Sequence, residues 1–397
     1  MAHVAIIETY PYEAVWGGDA VYLDGIRAYL TRCGHRVDSF VTDMTRGRSN
    51  PTMRLPCPTS GRHRWRVRRA VQLGEGQFCS LDPRLLGKAL RRLPGGRAPI
   101  ELETGDVEVD WVVDQFERTP PDLAILAFGA CTMSAAVRGL GIEVLALKGF
   151  FSDRRIRLGE KMPTPMVDRA LLEALGEATR VGFNNRHDLA HYAELSSLTN
   201  GVVVGMGFPE RPQPQPDGLP TLIFVGARTR PNVESLRWFL DQVWPAVRTE
   251  RPDARLRVVG SITAAFPDDL RAGVSFLGFV DRLDAEYRGA ALAIAPLVSG
   301  SSGIKTKIAE ALSFARPVVT TSLGVEPDWP DQYGDAVVVA DDPDAFAEAV
   351  VALLDDPAAR VAAAAVEYHR HFAEGAAYHE IDALLGAVAH QLRVGAG

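Results

Sequence analysis

The chain has 397 residues, of which 47% are hydrophobic and 23% are charged, and its formal net charge is -7. This length is typical of two domains, and the composition is that of a globular protein that buries substantial cores. The net negative charge argues against general binding to nucleic acid or to anionic membranes. Because no apolar run is long enough to span a bilayer and no signal peptide precedes the first predicted strand, we expect a cytoplasmic protein.

The first half alternates predicted strands and helices, which is the rhythm of a Rossmann-like parallel sheet. Gly17 and Gly18 lie after the first strand, at the predicted start of a helix, where backbone can approach a ligand closely. An ordinary turn before a helix is the alternative explanation of this glycine pair. The predicted strands cover residues 3–8, 35–41, 122–128, 142–147, 180–183 and 202–204, and the predicted helices cover residues 19–33, 106–118, 166–178 and a stretch from 187.

Ligands of open parallel sheets bind at the carboxyl ends of the strands. Lys148 and Phe150 follow one predicted strand, and Asn184 follows another. Tyr10 and Trp16 flank the glycine pair, although aromatic residues near a strand end are more often part of a core. These five residues are candidate ligand contacts of the first half.

Residues 43–103 show little pattern apart from a predicted helix at residues 81–93. The basic run at residues 62–69 (RHRWRVRR) is expected to be a solvated face rather than a binding patch, because the whole chain is acidic. Residues 209–220 (PERPQPQPDGLP) contain five prolines and form a predicted linker. This linker separates a first domain, residues 1–208, from a second domain, residues 221–375, and a terminal helix is predicted within residues 376–397.

The stretch at residues 291–321 combines a predicted buried strand, a serine-rich loop, an amphipathic helix at residues 303–314 and a second strand. Ser302 is the predicted N-cap of this helix. Free N–H groups at a helix start, together with Lys305 and Lys307, suit a phosphate, and Glu310 lies at the distance of a sugar hydroxyl from it. An ordinary βαβ unit with solvated lysines is the alternative, and these residues alone do not decide between the two.

The segment GIKTKIAEALSFARPVV resembles the C-terminal signature of retaining, GT-B-fold glycosyltransferases of family four, also described as glycosyl transferases group 1. The resemblance implies that this segment cradles a donor diphosphate and that Glu310 holds the ribose. The family's usual E-x7-E pair is altered, because Ser302 occupies the first position. FVGARTRPNVESL resembles the family's phosphate loop, with Ala227 and Asn232 at positions where many members carry arginine and lysine.

The implied fold is α/β, with two Rossmann-like domains whose parallel sheets face each other across a cleft and a C-terminal helix that crosses back to the first domain. The implied activity is transfer of a hexosyl or modified sugar, with retention, from a nucleotide-diphosphate donor to a small-molecule acceptor such as a bacterial natural product. No cofactor or metal is expected, and the chain could act alone or as a homodimer. A nucleotide-sugar epimerase of the same fold, or an inactive sugar-nucleotide-binding partner subunit, are the alternatives.

The resemblance assigns three groups of residues. The expected diphosphate cations that assist the reaction are Arg228, Arg230 and Lys305. The expected donor contacts are Gly17, Gly18, Gly226, Phe279, Val280, Ser301, Ser302, Gly303, Ile304, Lys307 and Glu310. The expected acceptor contacts are Tyr10, Trp16, Lys148, Phe150 and Asn184.

Asp342-Pro343-Asp344 is formally a D-x-D pair, a pattern that binds a divalent metal in another glycosyltransferase fold. Here the pair lies between a predicted strand and a predicted helix. We therefore expect Asp342 to cap the helix and Pro343 to occupy its first turn, with no metal bound.

Overall fold

The structure is a computed structural model, and its residues divide into two compact units. The first unit contains Met1–Val204 and Tyr378–Gly397, and the second unit contains Gly205–Ala377. None of the helices in the part of the chain that the structure describes is long and apolar enough to cross a membrane. The described residues are 1–9, 18–43, 52–55, 61–74, 77–81, 106–148, 169–196, 198–211, 219–280, 282–299, 305–325, 333–355 and 357–394.

The first unit is built on a seven-stranded sheet whose strand pairs are all parallel. Its central strands are continuous apolar runs such as LAILA, because helices cover both faces of a parallel sheet. The strands are β1 (His3–Glu8), β2 (Arg36–Val41), β4 (His63–Val67), β7 (Leu123–Ala127), β8 (Glu143–Leu147), β9 (Arg180–Phe183) and β10 (Gly201–Val203), in the order β10-β9-β8-β7-β1-β2-β4. The helices of this unit are Gly18–Arg32, Asp106–Arg118, Ser134–Gly139, Arg169–Gly176, Arg186–Ser196 and His379–Val394.

The basic run at residues 62–69, expected to be a solvated face, contains the edge strand β4, parallel to β2, and Arg62, Arg64 and Arg69 are exposed while Arg68 is buried. Several of its charges pair inside the unit. Arg68 lies 2.7 Å from Glu108 and donates to the Thr42 carbonyl, and Arg66 approaches Asp38. Three further strands, β3 (Thr52–Arg54), β5 (Ala70–Gly74) and β6 (Gln77–Ser80), form a small antiparallel sheet. The helix predicted at residues 81–93 falls almost entirely outside the described residues.

The second unit is built on a six-stranded parallel sheet with the strand order β13-β12-β11-β14-β15-β16. Its core packs large apolar side chains such as Phe224, Phe239 and Phe346. The strands are β11 (Thr221–Val225), β12 (Arg255–Val259), β13 (Val274–Gly278), β14 (Leu292–Ala295), β15 (Val318–Thr320) and β16 (Val337–Val339). The helices are Arg230–Trp238, Trp244–Glu250, Asp284–Arg288, Thr306–Ser313, Ser322–Val325, Pro343–Asp355, Pro357–Glu367 and Glu374–Ala377, and π-helical turns occur at Phe239–Val243 and Tyr368–Phe372.

The order of strands in the second sheet reverses between β11 and β14, which are neighbours although three α-helices and two strands separate them in sequence. In open α/β sheets, such a switch point leaves a crevice at the carboxyl ends of the two strands, and ligands bind there. Gly226 follows β11 and residues 296–299 follow β14, so the segments that the sequence marks for phosphate begin at this crevice.

The helix after β14 begins later than predicted. It spans Thr306–Ser313, and Lys305, with φ -83° and ψ 95°, occupies the N-cap position without a side-chain cap. The described helix therefore begins three residues after the predicted residue 303, and Ser302 and Gly303, to which the cap and the free amides were assigned, lie outside the described residues. The predicted apolar face is correct where the structure describes it, because Ile308, Ala311 and Leu312 are fully buried. We call Thr306–Ser313 the Lys307 helix.

Candidate functional site

The carboxyl edge of the second sheet is tightly packed around glycines. Gly226 and Gly260 end β11 and β12, and the Gly260 N–H donates to the Gly278 carbonyl at 2.7 Å. Gly260 has φ 104°, and a Cβ on it would lie 2.4 Å from the Gly226 carbonyl oxygen. Only glycine fits here, because the position is both left-handed and in contact with backbone. The Gly226 N–H also donates to the Val259 carbonyl at 3.0 Å, so backbone hydrogen bonds fix the ends of β11 and β12 at this edge.

Lys307 brings a positive charge to this edge. Its Nζ donates a hydrogen bond to Asn232 Oδ1 and lies 5.1 Å from the centre of the Phe224 ring. Asn232 Nδ2 donates in turn to the Ala227 carbonyl at 2.8 Å, which turns its oxygen toward the lysine. Burial and the nearby Lys305 lower the pKa of Lys307 to about 8. Among the described residues, no carboxylate is paired with Lys307, so its charge rests on neutral partners.

Glu310 lies one turn further along the Lys307 helix, and it is only partly exposed. Tyr287, on the helix Asp284–Arg288, donates its hydroxyl to Glu310 Oε2 at 3.3 Å. Burial raises the pKa of Glu310 to about 7, while Arg211 and the Tyr287 hydrogen bond oppose that rise. The pKa of Glu310 therefore lies near neutral pH, and this carboxyl group shares a helix with the cationic Lys307.

The two arginines of the predicted phosphate loop differ in their surroundings. Arg230 is 88% exposed and pairs with Glu234 at 2.6 Å, and Glu234 also accepts a hydrogen bond from Ser299 after β14. The backbone N–H of Arg228 donates to Ser261 Oγ at 3.0 Å, which fixes the loop, while the side chain of Arg228 is exposed. Arg228 is thus the better placed of the two to meet an added anion, because Glu234 already offsets the charge of Arg230.

The remaining donor candidates are only partly described. Phe279 follows β13 and is 60% exposed, and Val280 beside it is half-buried. The side chain of Lys305 is buried at the start of the Lys307 helix. Candidates that lie outside the described residues are Tyr10, Trp16, Gly17, Phe150, Ser301, Ser302, Gly303 and Ile304.

In the first unit, the described candidates are engaged locally. Gly18 is the first residue of its helix, in agreement with the predicted helix start. Lys148 is buried, and its Nζ donates to the Tyr192 hydroxyl and lies 4.1 Å from the Tyr192 ring centre. Asn184 is buried and accepts a hydrogen bond from Asn185, whose own Oδ1 caps the next helix by accepting from the Asp188 N–H. These contacts account for the buried positions of the Lys148 and Asn184 side chains. Contact of either residue with an acceptor stays a prediction.

The predicted role of Asp342 is confirmed. Its Oδ1 accepts the N–H groups of Asp344 at 2.9 Å and Ala345 at 3.3 Å, and the helix begins at Pro343. Across the described ranges, no group of three or more His, Cys, Asp and Glu side chains is placed to hold a metal ion.

The sequence analysis overlooked three residues that the structure places beside the candidates. Asn232 orients Lys307, Tyr287 contacts Glu310, and Arg211 acts on the Glu310 charge. The sequence did indicate Asn232, because this residue occupies a position where many members of the resembled family carry a lysine. Tyr287 lies 23 positions before Glu310, and Arg211 lies in the proline-rich linker, so spacing pointed to neither.

Comparison with known sequences agrees with this geometry. Residues 219–356 match the profile of the family described as glycosyl transferases group 1. This segment is therefore similar to glycosyl transferases group 1. An uncharacterized 44.6 kDa protein in the cps region of Klebsiella pneumoniae is 30% identical over 138 residues, which cover 32% of this chain and 35% of that protein. The match thus spans about a third of that curated relative. The segment that matches the family profile contains Lys307, Glu310, Asn232 and the glycine edge.

Solved structures resemble the chain over nearly its whole length. Sucrose-phosphate synthase from Thermosynechococcus elongatus has a TM-score of 0.63 and 16% identity, with 100% of each chain covered. The Anabaena protein HepE in complex with UDP has a TM-score of 0.63 and 11% identity, with 98% of this chain and 100% of that chain covered. At these identities the likeness shows the fold alone. Together with the two parallel sheets, it confirms the expected GT-B fold of two Rossmann-like domains.

Proposed function

We propose that the protein is a glycosyltransferase that moves a sugar from a nucleotide-diphosphate donor to a small-molecule acceptor. The observation that carries the proposal is Lys307, a half-buried cation held by neutral partners at the switch point of the second sheet, in the segment that matches glycosyl transferases group 1. A partly desolvated charge without a counter-ion is unfavourable, and a bound diphosphate would supply the missing negative charge.

The same groups would serve the reaction. The diphosphate leaves more easily when fixed cations offset its growing charge, and Lys307, Lys305 and Arg228 would provide these cations, with Arg230 able to contribute once it leaves Glu234. The acceptor hydroxyl would attack the anomeric carbon from the face on which the carbon–phosphate oxygen bond breaks. Its proton would pass to the departing phosphate oxygen, so retention needs neither a protein nucleophile nor a metal. Glu310 would orient the donor by accepting hydrogen bonds from ribose hydroxyls.

The first test is calorimetric titration of the protein with UDP, GDP, ADP and dTDP in the presence of EDTA. UDP comes first because HepE, which shares the fold, was solved with it. We expect one nucleotide to bind in the micromolar range and Glu310→Ala to lose most of that affinity. Failure of all four nucleotides to bind would contradict the proposal.

The second test incubates the protein with the sugar derivative of the nucleotide that binds, and follows the anomeric proton by NMR. Transfer with retention is expected when a suitable acceptor is present. Conversion of the donor sugar without an acceptor would identify an epimerase instead, and nucleotide binding without any turnover would identify an inactive partner subunit.

A further inference from the structure

Arg211 lies near the start of the second unit, and contacts of the second unit hold it in place. Three residues earlier, the chain is anchored within this unit: the Phe208 N–H donates to the Phe372 carbonyl at 2.8 Å, and the Tyr368 hydroxyl donates to the Phe208 carbonyl at 3.0 Å. The Arg211 guanidinium then lies 4.0 Å from the ring centre of Phe314 and 5.7 Å from that of Phe208. These distances are those of a cation–π contact.

Phe314 connects Arg211 to the candidate donor site. It is the residue at which the Lys307 helix ends, and its ring stacks on Tyr287 with a centroid distance of 4.4 Å and an interplanar angle of 12°. The Tyr287 hydroxyl donates to Glu310, and the Tyr287 carbonyl accepts from Arg316 Nε at 2.8 Å. A continuous series of contacts therefore runs from Arg211 through two aromatic rings to the Glu310 carboxylate.

The charge of Arg211 acts on that carboxylate. Burial pushes the pKa of Glu310 up, and the positive charge of Arg211 is the largest influence that pulls it down. Among the described residues, no carboxylate forms an ion pair with Arg211, and the nearby Asp284 pairs with Arg282 at 3.3 Å. The charged or titratable groups that act on Glu310 are Arg211 and Tyr287, while Arg316 donates to the Tyr287 carbonyl and Lys307, on the same helix, donates to Asn232.

We propose that Arg211 is a positioning residue for the donor site, whose charge keeps the Glu310 carboxylate ionised and whose contact with Phe314 keeps Tyr287 aligned on it. This inference rests on the proposed function, in which Glu310 accepts hydrogen bonds from ribose hydroxyls. An ionised carboxylate offers only acceptor sites, whereas the protonated acid loses one acceptor to its own proton. Ribose binding is therefore strongest when Glu310 is ionised.

The test measures the titration of Glu310 directly, in the full-length protein without nucleotide. The protein is labelled with ¹³C at the glutamate carboxyl carbons, and Glu310→Gln identifies the Glu310 signal by its loss. We expect the Glu310 midpoint to shift to higher pH in Arg211→Gln and to stay near the wild-type value in Arg211→Lys, which keeps the charge. Arg237→Gln is the matched control, because Arg237 lies 5.9 Å from the Phe266 ring centre in the same unit.

The outcomes separate the inference from the proposed function. An unchanged Glu310 midpoint in Arg211→Gln would overturn the inference, and so would equal shifts in the Gln and Lys variants, because those would indicate a packing role alone. Arg211 is half-buried near the linker, so circular dichroism spectra of its variants are expected to match wild type.

A second measurement follows the affinity for UDP, or for the nucleotide found to bind, from pH 6 to pH 9. In Arg211→Gln, we expect affinity to be severalfold below that of wild type at pH 7 and equal to that of wild type at pH 9, where Glu310 is ionised in both proteins, while Arg211→Lys follows wild type throughout. If the Glu310 midpoint shifts as expected but no nucleotide binds, the coupling stands and the proposed function fails. If nucleotide binds with the same pH profile in Arg211→Gln as in wild type, the positioning role fails while the proposed function stands.

Discussion

Asn232 decides how much of the Lys307 charge is available to a ligand. Asn232→Asp would place a carboxylate against the buried ammonium, at the position where the neutral amide oxygen now accepts its hydrogen bond. The new pair would offset the charge of Lys307 and repel a phosphate. We therefore expect UDP affinity to fall about tenfold or more, as charge-assisted hydrogen bonds are worth roughly 1.5–3 kcal/mol. Calorimetry measures this loss.

The same substitution should move stability in the opposite direction, because Lys307 gains a counter-ion. We expect the free Asn232→Asp protein to unfold at a higher urea concentration than wild type, a trade between stability and binding that is common at functional sites. Asn232→Ala, which supplies no charge, should not stabilise the protein. A variant that loses stability together with affinity would show that Asn232 serves only packing.

Glu310 and Lys307 together predict a narrow pH optimum for nucleotide binding. The pKa of Glu310 is raised to about 7, so the ionised form needed for the ribose is lost as pH falls below that value. The pKa of Lys307 is lowered to about 8, so the protonated form needed for the phosphate is lost as pH rises above that value. Affinity should therefore be maximal between about pH 7 and pH 8.

Calorimetry in buffers of different ionisation enthalpy checks this expectation, because a bound phosphate should raise the pKa of Lys307 and draw a proton into the complex near pH 8. Glu310→Gln is the control for the acid side, since it keeps the titration of the nucleotide phosphate and of Lys307. An affinity that is flat between pH 6 and pH 9 in the wild type would show that neither residue contacts the nucleotide.

Among the elements, the glycine edge is the feature least tolerant of substitution. Gly260→Ala would impose a side chain at φ 104° and bring its Cβ against the Gly226 carbonyl, which must then move. We expect a loss of about 2–3 kcal/mol in the free energy of unfolding, together with weaker nucleotide binding. Urea denaturation measures the first effect and calorimetry the second.

Gly386→Ala is the matched control for that substitution. Gly386 lies inside the helix His379–Val394, and a Cβ there would have no atom within 4 Å. Alanine at this position should stabilise the protein by up to about 1 kcal/mol, because glycine is a poor helix former. If Gly260→Ala proved as harmless as Gly386→Ala, the edge would not have the close packing that the site argument requires.

The elements also show what sequence reasoning could reach. Strands such as His3–Glu8 and Arg180–Phe183 were predicted to the residue, because buried parallel strands are short apolar runs bounded by polar residues or glycine. Sequence spacing did not reveal that the basic run contains an edge strand or that its buried Arg68 pairs with Glu108 of a helix 40 residues later. The start of the Lys307 helix was misplaced because Lys305 adopts an extended backbone that no local residue signal announced.

Sequence analysis identified the charged candidate residues of the site but not the residues that contact them. Lys305, Lys307 and Glu310 follow one motif, so the pattern of a single helix was enough to identify them. Tyr287 and Arg211 act from other segments, and only the folded chain brings them to Glu310. Positioning residues of this kind depend on tertiary contacts and leave no local signature.

For the whole molecule, the decisive question is which unit carries the donor site. Among the residues expected to contact the donor, all that the structure describes except Gly18 belong to Gly205–Ala377. This unit has its own sheet and its own core. Nucleotide at 100 times its dissociation constant should stabilise the unit that binds it by about 2.7 kcal/mol. Amide hydrogen exchange followed by mass spectrometry should therefore slow in peptides that cover β11, β12, β14 and the Lys307 helix.

Peptides that cover β1, β2 and β7 to β10 report on the first unit and provide the internal control. Their exchange should change less than that of the second unit, because the charges that bind phosphate and ribose lie on the Lys307 helix. Lys307→Met should abolish the protection in both sets at the same nucleotide concentration. Protection that is strongest in the first unit and survives Lys307→Met would place the nucleotide elsewhere and would remove the switch point of the second sheet as the donor site.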